Sequence, residues 1–237
     1  MVDLANFQDD NTSSFAWYEE IKMDQSLSQG DIIFDFPVPL IVENTETFPF
    51  FKAQAATFPV IVMTQSCDLE QNKVNNISLC AIEPLDILVR KLILDQEANK
   101  EANNGKLREE LFDFSSFSGT KKEKVKKIIS SIRQGNYIDF YLLNNNYAGR
   151  NQTEIDFFSH VVLLKQTYQL PIGSANRIIE TLAASGQESR LRLLPPYREH
   201  LSQAYANTYS RIGLPIDINV NEIRDLTVGR FIEQSRL

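Results

Sequence analysis

Cysteine is scarce in this chain of 237 residues: there are two, Cys67 and Cys80, and neither belongs to a Cys-x-x-Cys pair. That count excludes a disulfide framework and a zinc ribbon, and it suits a reducing compartment. Histidine is equally rare, with only His160 and His200. No apolar run approaches the roughly 20 residues that cross a bilayer as a helix. The longest stretches, Phe58 to Met63 and Val161 to Leu164, are far shorter. The segment Met1 to Ser14 lacks the basic start and apolar core of a secretory signal. Together these absences predict a cytoplasmic protein with no membrane segment. Nine glycines and nine prolines, with no internal repeat, exclude collagen-like and low-complexity classes.

What is present is globular. Hydrophobic residues make up 43% and charged residues 23%, enough to build a core in a single domain over 1–237. The net charge of −7 opposes non-specific attraction to a phosphate backbone. It is unevenly placed. From Pro171 onward there are eight arginines and no lysine against seven acids, so the acidity belongs to the preceding part.

Hydrophobic alternation places a first strand at Asp31 to Phe36, opened by Gly30 and stopped by Pro37 and Pro39, with a linker to Thr57. Phe58 to Thr64 is apolar on both faces, which predicts a central strand. A turn at Gln71 to Asn76 should return the chain into a strand at Ile77 to Ile82, making a hairpin. Symmetric pairing about Asn72 would set Thr64 opposite Cys80. Leu85 to Arg133 reads as helical with polar interruptions at Asn103-Asn104-Gly105 and Ser115 to Gly119. Its second helix has Val125, Ile128, Ile129 and Ile132 on one side and lysines 121, 122, 124, 126 and 127 largely on the other. That lysine face is either a solvated surface or a nucleic-acid patch. Strands follow at Tyr137 to Leu143 and His160 to Thr167. A helix capped by Ser174, a short strand at Ser189 to Leu194, and a final helix carrying Tyr197, Leu201, Ala204, Tyr205, Thr208 and Ile212 complete the reading.

The order Gly30-Asp31-Ile32-Ile33, then Phe58-Pro59-Val60-Ile61-Val62, then an apolar strand returning to Pro84, resembles the PemK/MazF toxin family. Val161 to Thr167 is similar to that family's strand before its Asp-Gln segment. The likeness covers 29–85 and 137–170. It implies a small SH3-like β-barrel, a homodimer, a protein partner of the antitoxin kind, and metal-independent cleavage of single-stranded RNA. Two positions depart from the family pattern: its arginine before the Pro-Val-Val strand is Phe58, and its Ser/Thr at the end of the returning strand is Glu83. A bidentate phosphate donor is thereby lost, and a carboxylate stands where phosphate would lie.

The expected architecture is α+β: an SH3-like barrel with a helical insertion at 86–134 and a C-terminal helical extension at 171–237. Catalytic candidates are Cys67 and Asp68, at the end of the central strand, with His200 or His160 as a base and Glu83. The competing reading makes Cys67 a packed thiol, with Ser66 and Asp68 as turn hydrogen-bonders. Asp68 favours the second, because a neighbouring carboxylate disfavours a thiolate. Binding candidates are Ser66, Arg190, Arg192, Tyr197 and Arg198, either as an anion or base-stacking site or as ion pairs with Glu188 and Glu199. No metal or cofactor is implied. The sequence therefore leads to a non-catalytic binding module of a toxin-antitoxin or antiphage-defence locus. The alternatives are an endoribonuclease with a non-standard site and a Cys67-dependent enzyme.

Overall fold

The computed structural model describes residues 16–44, 46–100, 118–144 and 159–210. Seven strands and five helices occur among them. In chain order they are β1 (Tyr18–Lys22), β2 (Asp31–Glu43), β3 (Phe51–Val62), α1 (Ser66–Glu70), β4 (Asn76–Pro84), α2 (Leu85–Lys100), α3 (Gly119–Arg133), β5 (Phe140–Leu143), β6 (His160–Pro171), α4 (Ile172–Ala184), β7 (Ser189–Leu193) and α5 (Tyr197–Tyr209). No helix among the described residues is long and apolar enough to cross a membrane.

The strands form one antiparallel sheet in the order β1-β7-β2-β3-β4-β6-β5. The α+β expectation holds, while the closed small barrel is not seen in the main-chain pairing, because the edge strands β1 and β5 make no ladder with each other. They meet through a side chain instead: Tyr18 Oη donates to Asn144 O, just past β5, at 2.7 Å. The segment after Pro171 is also more than an extension, since β7 inserts between β1 and β2.

β3 is central, and its double-sided apolarity follows from what covers each face. Ile61 packs with Ile32, Cys80, Val162, Leu191 and Leu201 of α5. Val60 and Val62 pack the other way, with Ile33, Leu79, and Ala175 and Ile179 of α4. Helices α2 and α3 form a third cluster over Val161, in which Ile128 and Ile132 are buried and Val125 and Ile129 half-buried, as their spacing predicts.

Several boundaries differ from the sequence reading. Pro37 and Pro39 do not stop β2, which runs to Glu43, and the supposed linker is the first half of β3. A proline is tolerated in a ladder wherever its missing N–H faces outward. Ser66, Cys67 and Asp68 are not a strand end but the first turn of α1. This extra turn moves the β3–β4 register, so Cys80 pairs with Ile61 and not Thr64. β5 starts at Phe140 because Tyr137 to Phe140 is a turn, closed by Phe140 N donating to Tyr137 O. β6 runs on to Pro171, which itself occupies the N-cap of α4, so Ser174 lies inside that helix. Ile212 and the interruptions at 103–105 and 115–117 lie outside the described residues.

Candidate functional site

Ser66 anchors the point where β3 leaves the sheet. Its Oγ lies 2.6 Å from Ser28 Oγ and accepts from Gln29 N at 3.2 Å. Gln29 Nε2 in turn donates to Met63 O at 3.1 Å and to Ser202 Oγ at 2.9 Å. Ser66 thus ties the approach to β2 to α1 and, through Gln29, to α5. Beside it Cys67 is exposed, and its Sγ has as polar neighbours Gln65 Oε1 at 3.6 Å and Asp68 Oδ1 at 3.7 Å. No histidine lies within hydrogen-bond reach of that thiol among the described residues.

The other catalytic candidates lie elsewhere. β4 starts at Asn76 near the α1 end of the sheet, and Glu83 is reached about 23 Å further along the strand. There Glu83 pairs with Lys91. His160 is at that far end too, opposite Pro84 and edge-on to Phe34. His200 is exposed on α5 and lines a cleft of about 640 Å³ with Trp17, Arg133, Tyr141, Asn144 and Tyr197. Cys67 with Asp68, Glu83, and His200 therefore occupy three separate places. Among the described residues no group of three or more His, Cys, Asp or Glu is positioned to hold a metal ion.

Arg190 and Arg192 do share one face of β7, but their partner is Asp31 and not Glu188. Asp31 is wholly buried. Arg190 Nε donates to Asp31 Oδ2 at 3.1 Å, and its Nη1 and Nη2 donate to the carbonyls of Lys22, Met23, Gln25 and Ser26. All five guanidinium N–H groups are thus used within the fold. Arg192 adds Nε to Asp31 Oδ1 at 2.5 Å and Nη2 to Oδ2 at 3.1 Å. Burial pushes the Arg190 guanidinium down from its ordinary value, with the Asp31 charge and hydrogen bond pulling it back up. Burial also acts downward on Arg192, where the hydrogen bond and charge of Asp31 outweigh it and the net shift is upward. Arg190, whose donors are all taken, does not recognise an incoming phosphate, and Arg192, which also gives Nη2 to Ser26 O at 3.1 Å, commits all but Nη1 to the same network, so this pair fastens β7 to β2. The one signal in the sequence was Gly30-Asp31 directly before the apolar pair Ile32-Ile33.

Gly30 permits this junction. It has φ +85, and a Cβ there would stand 3.1 Å from Leu193 O. Arg198 pairs with Glu199 at 2.7 Å on the surface, the partner the sequence named. Tyr197 stacks on Trp17, with ring centroids 3.7 Å apart and planes 9° from parallel, so that face is not open to a base. On α3, Lys122, Lys126 and Lys127 are exposed, while Lys124 pairs with Glu97.

Another surface feature lies where the sequence reading placed a linker. β3 pairs with β4 only over Val60 to Val62, and β2 pairs with β7 only at Asp31 and Ile32, whereas β2 and β3 pair with each other out to Glu43 and Phe51. The outer part, Pro37–Glu43 with Phe51–Thr57, is a two-stranded ribbon whose base still packs on the core through buried Val38 and half-buried Leu40, and whose far end stands free. Its tip displays Phe48 at 85% exposure, Ile41 at 62% and Phe50 at 58%.

The two edges of the ribbon are unlike. Pro37 opposes Thr57 and Pro39 opposes Ala55, and neither proline has a donor for β3. These are therefore the non-hydrogen-bonded pairs, a phase also set by Asn44 N donating to Phe50 O at 2.9 Å. The outward donor positions of β2 thus include Pro37 and Pro39, which blunts that edge. On β3 the outward positions are Phe51, Ala53, Ala55 and Thr57, none a proline, and no strand among the described residues pairs with them. The sequence matches no protein-family model and no curated protein.

Proposed function

We propose that this chain is a non-catalytic binding module, and that it engages a protein partner along the outer edge of β3. The observation that carries this reading is the ribbon itself. An isolated two-stranded ribbon is marginal in water and an unprotected edge invites pairing, so an exposed edge with an apolar tip is best explained by a partner that covers it. The dispersal of Cys67, Glu83 and His200 supports the same reading from the opposite side, because acid, base and nucleophile need hydrogen-bond contact to work together.

The order of the Gly30-Asp31, Phe58 to Val62 and Val161 to Thr167 strands supports placing the module beside PemK/MazF-like barrels. On this reading the sheet is an opened relative of that barrel, closed at its seam by Tyr18 and Asn144. Service in a toxin-antitoxin or antiphage-defence locus, in the cytoplasm, belongs to the same proposal. The two unbridged cysteines agree with a reducing compartment.

The test is capture of the partner, a second copy of the chain included, by tagged full-length protein in its own cells, followed by reconstitution from purified components. Ala55→Pro removes an outward donor of β3 without touching a β2–β3 hydrogen bond. It should abolish the reconstituted complex at unchanged thermal stability. Survival of the complex in that variant, or Cys67-dependent cleavage of mixed RNA by the wild-type protein, would overturn the reading.

A further inference from the structure

We propose that the occupant of the β3 edge is a second copy of this chain, paired antiparallel about a two-fold axis at Gln54, so that two ribbons join into one four-stranded sheet. This rests on the binding-module reading and names its partner. Three features of the edge make it complementary to a copy of itself.

The first is phase. A dyad perpendicular to an antiparallel pair passes between two directly opposed residues, so in a homodimer some residue must face its own copy. With Gln54 at the axis, Ala53 faces Ala55 of the other copy twice. Those alanines are among the residues whose N–H and C=O point outward, and their exchange satisfies the edge. The second feature is steric. Gln54, Ala55 and Ala56 crowd nothing at the centre, while Phe51 falls opposite Thr57 at both ends, an aromatic and β-branched pair of the kind that stabilises sheets.

The third feature is charge. Lys52 is the only charged residue from Phe51 to Thr57. In this register it faces Ala56, and the two lysines stand four residues apart along the strands, about 14 Å and beyond a Debye length of about 8 Å. The edge thus carries no like-charge clash with itself. The same register carries Phe50 of each copy toward Phe58 of the other, covering part of the exposed tip. The β2 edge, blunted by Pro37 and Pro39, ends the joint sheet at four strands and leaves a closed dimer instead of a growing fibre.

The experiment is sedimentation of the full-length chain together with cysteine crosslinking. Wild type should sediment with twice the chain mass at micromolar concentration, and Ala55→Pro with the mass of one chain. In a Cys67→Ser background, Gln54→Cys places two thiols on a non-hydrogen-bonded pair with Cα atoms about 4.5 Å apart, inside the range a disulfide spans. Copper-phenanthroline should convert that variant to a covalent dimer, and Lys52→Cys should stay uncrosslinked. The crosslinking arm keeps the test decisive even if Ala55→Pro folds poorly. A wild-type protein that sediments as one chain, or a Lys52→Cys crosslink in place of Gln54→Cys, would overturn the proposal. If wild type is a single chain and Ala55→Pro still loses a different purified protein, self-pairing falls while the binding-module reading stands.

Discussion

At its inner end the β2–β3 hairpin holds Ile32, Ile33, Val60 and Ile61 at zero exposure, flanked by β7 and β4 and covered by helices on both faces. At its outer end the same two strands carry Ile41, Lys52, Ala53, Gln54 and Ala55 into water, with no third strand among the described residues. The backbone ladder is continuous through both halves apart from the bulge between Ile33 and Phe36. What differs is everything around it. Hydrogen bonding alone fixes a ribbon, but packing fixes its free energy, because a net backbone hydrogen bond contributes only about 1 kcal/mol and ordering each residue costs about as much. The inner half is therefore scaffold, and the outer half is surface held out for something else.

The strongest way to break this comparison is at Asp31, where the inner end is fastened. Asp31→Ala would leave Arg190 buried with carbonyl partners and without its paired carboxylate, a loss that typically costs about 3–5 kcal/mol. Urea unfolding should show that drop as a lower midpoint at unchanged slope. A change under about 1 kcal/mol would mean that the four carbonyls alone suffice for the guanidinium.

A second experiment sharpens the contrast within the hairpin. Ile61→Ala removes a fully buried side chain and should cost about 2–5 kcal/mol. Ile41→Ala, at the outer end, should stay within about 0.5 kcal/mol when measured on the dissociated chain. Equal costs would show that the ribbon packs against something and is not held out in solvent.

The two halves were also unequally legible. Ile32, Phe34 and Phe36, and the run from Phe58 to Met63, declare strands because a buried strand writes its surroundings into hydrophobic alternation. Phe51 to Ala55 is exposed on both faces, so no alternation is imposed and Lys-Ala-Gln-Ala-Ala-Thr looks like a linker. Pro37 and Pro39 deepened that impression, since a proline signals a stop unless the phase of the ladder is known. The helical stripe of α3 and the paired arginines of β7 were readable for the same local reason. Their consequences were not: Arg190 meets Asp31 across 159 positions of sequence, a distance no spacing rule spans. Ser66-Cys67-Asp68 was conspicuous for its chemistry, yet what it does in the fold is tie the entry of β2 to α1 through Ser66.

The smallest effects separate the two thiols, one buried in the core and one exposed on α1. Cys80 pairs with Ile61 in the core, and burial pushes its thiol from 9.0 up to about 12. Because the folded value is the raised one, the stabilisation is complete below about pH 9 and is lost as pH rises toward 12. Over that window the unfolded chain releases a proton that the folded chain keeps, and stability falls by about 1.4 kcal/mol per pH unit for this one group. Cys80→Ala has no thiol to ionise, so its stability deficit relative to wild type should shrink as urea unfolding is repeated from pH 8 to pH 11. A deficit independent of pH would place Cys80 within reach of water. Cys67 is on the surface, and Cys67→Ser should leave stability unchanged. A disulfide reagent such as DTNB should accordingly titrate one thiol in the native protein and two in denaturant. Two fast thiols in the native state would mean that the core around Cys80 opens readily to the reagent.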